Sequence, residues 1–229
     1  MTEPKPPMNP PNLNPGALIV IEGIDGAGTT TQSQMLVEWL NRAGIPSMLT
    51  REPSAGPIGG ALRLHLGREL ELSGPEAEAL AFAADRMDHV ASEVAPALAR
   101  SLTVVADRYY LSSLAYQALN CDLAWLREIN RFATRPDLTV FLAVPVEVGV
   151  SRFSTRGTRE RFEEDNDQLA RIAGAYDAAI EAVRADGEEV RVIDGTRSVD
   201  EVAADVARLA IPILQPRYPN ATPSAGPHD

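Results

Sequence analysis

Residues 21–32, IEGIDGAGTTTQ, contain a glycine-rich stretch after an apolar run. Within it, GIDGAGTT matches the phosphate-loop pattern G-x-x-x-x-G-K-[ST] at Gly23, Gly28 and Thr30. The glycines let backbone N–H groups converge on an anion, the following helix adds its positive N-terminus, and Thr30 could place a hydroxyl on Mg²⁺. The predicted phosphate-binding residues are Gly23, Asp25, Gly26, Ala27, Gly28, Thr29, Thr30 and Thr31.

One position departs from this pattern, because Thr29 stands where the loop normally has lysine. Threonine offers a hydroxyl but no positive charge. Lys5 is the only lysine of the chain, so a compensating charge must come from arginine or from a metal ion. Imperfect motifs give more false matches, and a glycine-rich turn that binds no ligand is the alternative at this point.

Acidic and basic residues that could complete such a site follow apolar, strand-like runs. The sequence predicts strands at 17–23, 46–53, 102–110, 138–144 and 188–194, and helices at 29–43, 56–70, 75–100 and 198–210. Continuous apolar strands alternating with helices are typical of a parallel sheet covered on both faces. Ligands bind beyond the carboxyl ends of such strands, which is where Asp25, Glu52, Asp107 and Arg108 lie.

The composition excludes several other classes of protein. Among 229 residues, 21 are Lys or Arg and 32 are Asp or Glu, and this acidic balance argues against a duplex nucleic acid partner. Cys121 is the only cysteine, which excludes intrachain disulfides and a cysteine-rich zinc site. No apolar run resembles a secretory signal or a membrane span, so we expect a cytoplasmic protein.

Proline-rich segments mark both ends of the chain. Residues 1–15 carry six prolines and are predicted to form a disordered arm, and residues 215–229 carry four and are predicted to form a disordered tail. The body, 16–214, contains no internal repeat.

Several segments, taken in order, resemble the thymidylate kinases (dTMP kinases) of the P-loop nucleoside monophosphate kinase group: IEGIDGAGTTTQ, TREPSAGPIG, FAADR, DRYYLSSLAYQ, PDLTVFLAV and an Arg-rich stretch near 156–161. The resemblance covers about 17–210. It implies an α/β P-loop NTPase three-layer sandwich, with a five-stranded parallel sheet flanked by helices and a mobile LID near 154–166. It also implies transfer of the γ-phosphoryl group of ATP to dTMP, with Mg²⁺, in dTTP biosynthesis, commonly by a homodimer.

The same resemblance gives roles to residues at the strand ends. Asp25 is expected to accept the 3′-hydroxyl of the deoxynucleotide, although a turn-forming aspartate is the alternative. Arg63 and Arg108 are expected to clamp the acceptor phosphate, for which the planar guanidinium is suited. Asp107 is expected to hold magnesium through water, and Glu52 to lie near the phosphates and the metal. A surface ion pair is the alternative for Asp107 and Arg108.

A second set of residues is expected to bind the base and sugar. Phe82 and Arg86 share a helix face, and the resemblance implies that Phe82 stacks on thymine while Arg86 binds its carbonyl edge. Spacing alone would favour a core phenylalanine beside a solvated arginine. Tyr116 is expected to crowd the 2′ position and so favour deoxyribose. The resemblance places four residues along the base and sugar: Ser112, Ser113, Tyr116 and Gln117.

The positive charge that the loop lacks at Thr29 is expected to come from arginines of the LID. The family carries an arginine either in the phosphate loop or in the LID, and Gly26 occupies the place of the loop arginine. We therefore expect LID arginines to contact phosphate, and the candidates are Arg156, Arg159 and Arg161. The stretch DGTR, 194–197, resembles the adenine-side loop, although it could be a mere helix cap.

Two other functions stay open from the sequence. Thr29 makes a nucleotide-binding pseudokinase, acting as a sensor, the main alternative to an active dTMP kinase. The other is a kinase for a different deoxynucleoside monophosphate.

Overall fold

The computed structural model describes Asn9 and residues 11–154 and 162–221, without the side chains of 153–154 and 162–166. A five-stranded parallel sheet forms its centre, in the order β2-β3-β1-β4-β5. Each strand lies within the range predicted for it, so the predicted parallel sheet is confirmed. The strands are β1 Leu18–Gly23, β2 Ser47–Arg51, β3 Thr103–Asp107, β4 Leu138–Ala143 and β5 Val190–Asp194.

Helices flank this sheet. Helices α1 and α9 pack against each other and against the strands. Helix α5 packs against β1 and against α8. Among the described residues the α-helices are α1 Thr29–Arg42, α2 Pro57–Leu66, α3 Pro75–His89, α4 Ala95–Ala99, α5 Tyr110–Tyr116, α6 Leu123–Ile129, α7 Val146–Ser154, α8 Phe162–Ala185 and α9 Val199–Leu214.

The central strand β1 is buried along its whole length. Its apolar run pairs with β3 on one side, where Leu18 lies beside Val104, and with β4 on the other, where Ile19 lies beside Leu138. Because both edges of β1 are paired, the loop that follows it lies in the middle of the carboxyl edge of the sheet. This is the position where the phosphate loop was expected.

Two of the predicted helices differ from the prediction near a proline. The helix expected over 75–100 is present, but a π-helical turn, Val90–Val94, joins α3 to α4. Pro96 lacks an N–H and its ring would crowd the carbonyl of Ser92, which favours this wider turn. Helix α9 runs past its predicted end at 210 and includes Pro212.

Parts of both proline-rich ends contact the body. The Asn9 amide donates to the carbonyl oxygens of Asn130, at 2.9 Å, and Ala133, at 3.0 Å. Near the other end, the Tyr218 hydroxyl donates to the carbonyl of Ser101 at 2.6 Å. The predicted disorder of residues 1–8, 10 and 222–229 concerns residues outside the described ones, and so does the core of the predicted LID, 155–161. None of the helices in the described segments has the length and apolarity that crossing a membrane requires.

Candidate active site

The glycine-rich loop links β1 to α1 as the sequence predicts. Gly28 precedes the first residue of α1 with φ of 98°, a left-handed conformation suited to glycine. Gly26 also has positive φ, 80°, and a Cβ there would overlap the carbonyl oxygen of Gly149 on α7. Helix α7 therefore lies directly on the loop. A side chain at position 26 would require the backbone of α7 to move away from the loop.

Thr29 is a buried residue of this loop. Its methyl carbon Cγ2 would lie 3.4 Å from a Cβ built on Gly23, and the Cβ of Ala27 would lie only 2.7 Å away. The start of the loop is thus closely packed around Gly23. Thr29 contributes packing there and carries no charge.

Thr30 and Asp107 bring the loop and the end of β3 together. The Thr30 hydroxyl donates to Oδ2 of Asp107 at 2.5 Å. The other carboxylate oxygen, Oδ1, is buried and has no hydrogen-bond partner among the described residues. A buried carboxylate oxygen in this state needs a donor or a cation, which for this site favours water or a metal ion.

Arg108 follows Asp107 and turns towards the loop. Its backbone has a positive φ of 70°. Its Nη1 donates to the carbonyl of Gly23 at 2.9 Å, and its Nη2 donates to Asp25 at 2.7 Å. The guanidinium lies over the ring of Tyr116, 5.3 Å from the centroid. Burial disfavours the charge, but neighbouring groups that include Asp25 raise the pKa of Arg108, so it stays a cation.

A cavity of about 460 Å³ opens beside the loop. Three arginines among the described residues line it: Arg108, Arg197 of the DGTR stretch, and Arg152, which was not predicted from the sequence. Arg152 donates to the carbonyl of Gly195 at 3.2 Å. It lies three residues after Gly149 on α7, the residue that contacts the loop, so both share a helix face. That spacing could not be interpreted from the sequence, because the contact between α7 and the loop was unknown.

The stretch 194–197 lines this cavity and also forms the turn before α9. Gly195 and Arg197 line the cavity. Asp194 accepts from the backbone N–H of Thr196 at 2.9 Å, which fixes the turn before α9. The helix cap itself is Ser198, which forms a capping box with Glu201.

A buried ionic cluster joins the residue after β2, Glu52, to Arg86 and His89 of α3. Glu52 accepts from Arg86 on Oε2 and from His89 on Oε1, at 3.2 Å for the histidine. Arg86 is 1% exposed, and its other two nitrogens donate to Asn130 and Ser113. Burial lowers the pKa of His89, but the hydrogen bond to Glu52 and the negative charges of Glu52, Glu93 and Asp85 together outweigh this and raise the pKa overall. Both oxygens of Glu52 are thus already engaged by protein donors.

The remaining predicted acceptor residues are distributed around this cluster. Arg63 is exposed and donates to the backbone carbonyls of Pro53 and Ser54, and it does not line the cavity. Phe82 is half-buried on α3. Gln117 donates to Glu78 at 3.2 Å. Arg156, Arg159 and Arg161 lie outside the described residues.

Glu22 is, like Arg152, a polar residue of the site that sequence reasoning missed. It lies in the apolar run of β1 and is fully buried. Its carboxylate accepts from the backbone N–H groups of Tyr109 and Ser112, at 2.9 and 3.1 Å. The signal in the sequence was a carboxylate within a continuous apolar strand. Because an unpaired charge is not stable in such a strand, Glu22 had to have polar partners in the fold.

A five-stranded parallel sheet with a phosphate loop after β1 and an Asp–Arg pair at the end of β3 defines a P-loop nucleotide-binding protein of the α/β class. The family model for thymidylate kinase matches residues 21–206, and the chain belongs to this family.

Individual relatives agree with this assignment. A probable thymidylate kinase of Pyrococcus horikoshii is 38% identical over 199 residues, which cover 85% of this chain and 95% of that protein. A thymidylate kinase of Neisseria gonorrhoeae is 36% identical over 197 residues, covering 83% and 94%. One of Carboxydothermus hydrogenoformans is 36% identical over 193 residues, covering 82% and 93%.

Proposed function

We propose that this protein is a dTMP kinase, which transfers the γ-phosphoryl group of ATP to dTMP and releases ADP and dTDP. The observation that carries this proposal is the position of Arg108. It lines the same cavity as the phosphate loop and lies 2.7 Å from Asp25 of that loop. An acceptor phosphate held by Arg108 therefore lies next to donor phosphates held by the loop, as in-line transfer requires.

Magnesium fits the residues present at the loop. Mg²⁺ prefers oxygen ligands and keeps several waters. Thr30 supplies a hydroxyl, and Asp107 supplies Oδ1, which has no hydrogen-bond partner in the described part of the chain. Thr30 would hold the ion directly and Asp107 through water. When bound, the ion neutralises charge on the transferring phosphate. Glu52 does not fit as a metal ligand, because Arg86 and His89 occupy both of its oxygens.

The acceptor nucleoside is proposed to lie between Arg108 and the cluster of Glu52, Arg86 and His89. Phe82 would stack on the base, and Tyr116, which lies under Arg108, would crowd the 2′ position. Arg86 is buried, so a base carbonyl would replace one of its present acceptors or bind through Ser113. Arg63 would reach the acceptor phosphate by leaving the carbonyls of Pro53 and Ser54.

Arginine and magnesium are proposed to replace the charge that Thr29 lacks. Loss of one preorganised donor costs about 10²–10³ in rate, while an arginine at the transferring phosphate contributes about 10³–10⁵. Positive charge from the LID is therefore sufficient in magnitude. Neutralising Arg156, Arg159 and Arg161 together should abolish most turnover, and unchanged turnover would assign the charge to another source.

The protein is also proposed to act as a homodimer in the cytoplasm. Leucine side chains stay exposed on α2 and α3, among them Leu64, Leu66 and Leu80. Burial of these side chains against a second copy would remove apolar surface from water. Light scattering should give twice the chain mass for the wild type, and Leu80→Glu should shift it towards the monomer.

A nucleotide panel tests the proposed reaction. Formation of ADP from Mg·ATP is measured with dTMP, dUMP, dCMP, AMP and the ribonucleotide of thymine as acceptors, and Arg108→Ala, purified in parallel, controls for contaminating kinases. We expect dTMP to give the highest kcat/KM, and the ribonucleotide to be disfavoured by Tyr116. Binding of dTMP without turnover would instead indicate a pseudokinase, and preference for another acceptor would reassign the substrate.

A further inference from the structure

Tyr176 of α8 ends in the buried polar cluster beside Arg108, although 153 residues separate it from Gly23 in the sequence. Its ring is fully buried, packed tilted against Phe141 at 4.8 Å and edge-on to Tyr116 at 6.1 Å between centroids. These contacts fix the ring, so its hydroxyl has a defined position. The proposed reaction assigns no role to this hydroxyl.

The Tyr176 hydroxyl has both hydrogen-bond acceptors and a hydrogen-bond donor around it. It donates to Oε2 of Glu22 at 3.1 Å or to the carbonyl of Gly23 at 3.2 Å. It accepts from Nη1 of Arg108 at 3.3 Å. Tyr176 therefore links a buried carboxylate to the guanidinium that is proposed to bind the acceptor phosphate.

Ser112 forms a second link of the same type. Its hydroxyl donates to Oε2 of Glu22 at 2.6 Å and accepts from Nη1 of Arg108 at 3.2 Å. The two hydroxyls are 2.9 Å apart. Both hydroxyls thus lie between the same arginine nitrogen and the same carboxylate oxygen, and hydrogen-bond chains of this kind polarise and strengthen one another.

Glu22 supplies the negative charge at the end of both links. Burial raises its pKa, while Arg108 and the hydrogen bonds from Ser112 and Tyr109 oppose that effect. The four donors that surround the carboxylate, two N–H groups and two hydroxyls, match the acceptor capacity of the ionised form.

We propose that the Tyr176 hydroxyl is a positioning group for the acceptor phosphate: with Ser112, it holds Nη1 of Arg108 against Glu22, so that the rest of the guanidinium faces the cavity. This inference rests on the proposed dTMP kinase function. Without the tyrosine hydroxyl, Nη1 loses one of its acceptors and the guanidinium can turn further towards Asp25. The loss should affect recognition of the phosphate and leave the nucleoside part of the site intact.

The test compares Tyr176→Phe with Tyr110→Phe, which is a matched control. Tyr110 is also fully buried on α5, and its hydroxyl also donates to a buried glutamate, Glu188. Both variants therefore remove one buried hydroxyl from a carboxylate, but only one of them alters Arg108. Calorimetric titrations of each purified protein with dTMP and with thymidine separate phosphate binding from nucleoside binding, and steady-state assays give kcat and both KM values.

We expect Tyr176→Phe to weaken dTMP binding by about ten- to a hundredfold, the range for a hydrogen bond to a charged group. Thymidine binding should stay within about twofold, and KM for ATP should not change. Tyr110→Phe should bind both ligands like the wild type. Ser112→Ala should lose more affinity for dTMP than for thymidine, which keeps the proposal testable if Tyr176→Phe does not fold; an equal loss for both ligands would show direct contact with the nucleoside instead.

Two results would overturn the positioning role. One is an equal loss of dTMP and thymidine affinity in Tyr176→Phe, which would show a general packing effect on the pocket. The other is unchanged affinity for both ligands together with wild-type kcat. A wild-type protein that neither binds nor phosphorylates dTMP would instead refute the proposed function, and this inference with it.

Discussion

The guanidinium of Arg108 and the carboxylate of Asp25 lie 2.7 Å apart, and this ion pair joins the end of β3 to the phosphate loop. The arginine side chain is 20% exposed and lies on the wall of the cavity. An acceptor phosphate carries more negative charge than one carboxylate, and it can accept two parallel hydrogen bonds from a guanidinium. Arg108 is thus held in place by Asp25 and is accessible to a phosphate.

Replacement of Arg108 by lysine tests this arrangement while keeping the charge. Lysine cannot reproduce the forked donor that spans Gly23 and Asp25. We expect kcat to fall by about 10²–10³-fold and KM for dTMP to rise, with KM for ATP within about twofold. Arg131→Lys, which changes an exposed arginine paired with Glu128, is the control. Wild-type kinetics for Arg108→Lys would contradict the proposed role.

Thr30 offers a test of the metal site. Thr30→Ala removes the hydroxyl that lies 2.5 Å from Asp107, whereas Thr30→Ser keeps it. We expect the Mg²⁺ concentration for half-maximal activity to rise by about tenfold or more in Thr30→Ala and to stay near the wild-type value in Thr30→Ser. Titration of activity with Mg²⁺ at fixed ATP measures this. Equal impairment of both variants would mean that the methyl group, and not the hydroxyl, matters.

The buried ion pair of Glu52 and Arg86 is expected to contribute to the free energy of unfolding. Their nitrogen and oxygen atoms are 2.7 Å apart, with side chains only 4% and 1% exposed. Glu52→Gln leaves the arginine charge uncompensated, and we expect the free energy of unfolding to fall by about 3–5 kcal/mol. Glu128→Gln, at the exposed pair with Arg131, should cost less than about 1 kcal/mol. Urea unfolding measures both, and equal losses would refute the special role of the buried pair.

The raised pKa of Glu188 predicts how the free energy of unfolding depends on pH. Burial raises its pKa to about 7, against an ordinary value of 4.5 in the unfolded chain. Between these values the native state retains a proton that the unfolded state loses, so this group lowers stability as pH rises from 4.5 to 7. Glu188→Gln should therefore unfold like the wild type near pH 4.5 and be more stable by about 3 kcal/mol at pH 8. The exposed Glu147→Gln is the control, and a pH-independent difference for Glu188→Gln would contradict the expected ionisation.

The parts of the fold that depend on local sequence were predictable. The apolar run of β1, the glycines of the loop and the strand preceding Asp107 each carry their signal within a few residues, and the five strands lie where these patterns place them. The α3–α4 region was less predictable. The sequence indicates one helix there, and the π-helical turn depends on how the chain accommodates Pro96.

Contacts between distant segments could not be predicted from local patterns. Glu52 lies against Arg86, 34 residues away, because folding places α3 beside the end of β2, and its expected position near the metal stays a prediction. Glu22 and Tyr176 are 154 residues apart and meet only when α8 packs beside β1. Spacing within a segment identifies a helix face or a strand end, whereas these contacts require the packing of whole elements.

Thr29 bears on the central claim that arginine and magnesium supply the charge that the loop lacks. The residue is buried where the loop meets α1, so a lysine there would have to displace existing packing. If the charge is already supplied, an added ammonium group gains little. If it is not, restoring the usual donor should recover about 10²–10³ in rate.

The most direct measurement is the single-turnover rate of γ-phosphoryl transfer from Mg·ATP to dTMP in the wild type and in Thr29→Lys. We predict rapid formation of dTDP by the wild type, with Thr29→Lys within about tenfold of that rate or slower. Absence of transfer in the wild type, or a gain of several hundredfold in Thr29→Lys, on the order of the loss expected for one missing donor, would contradict the account.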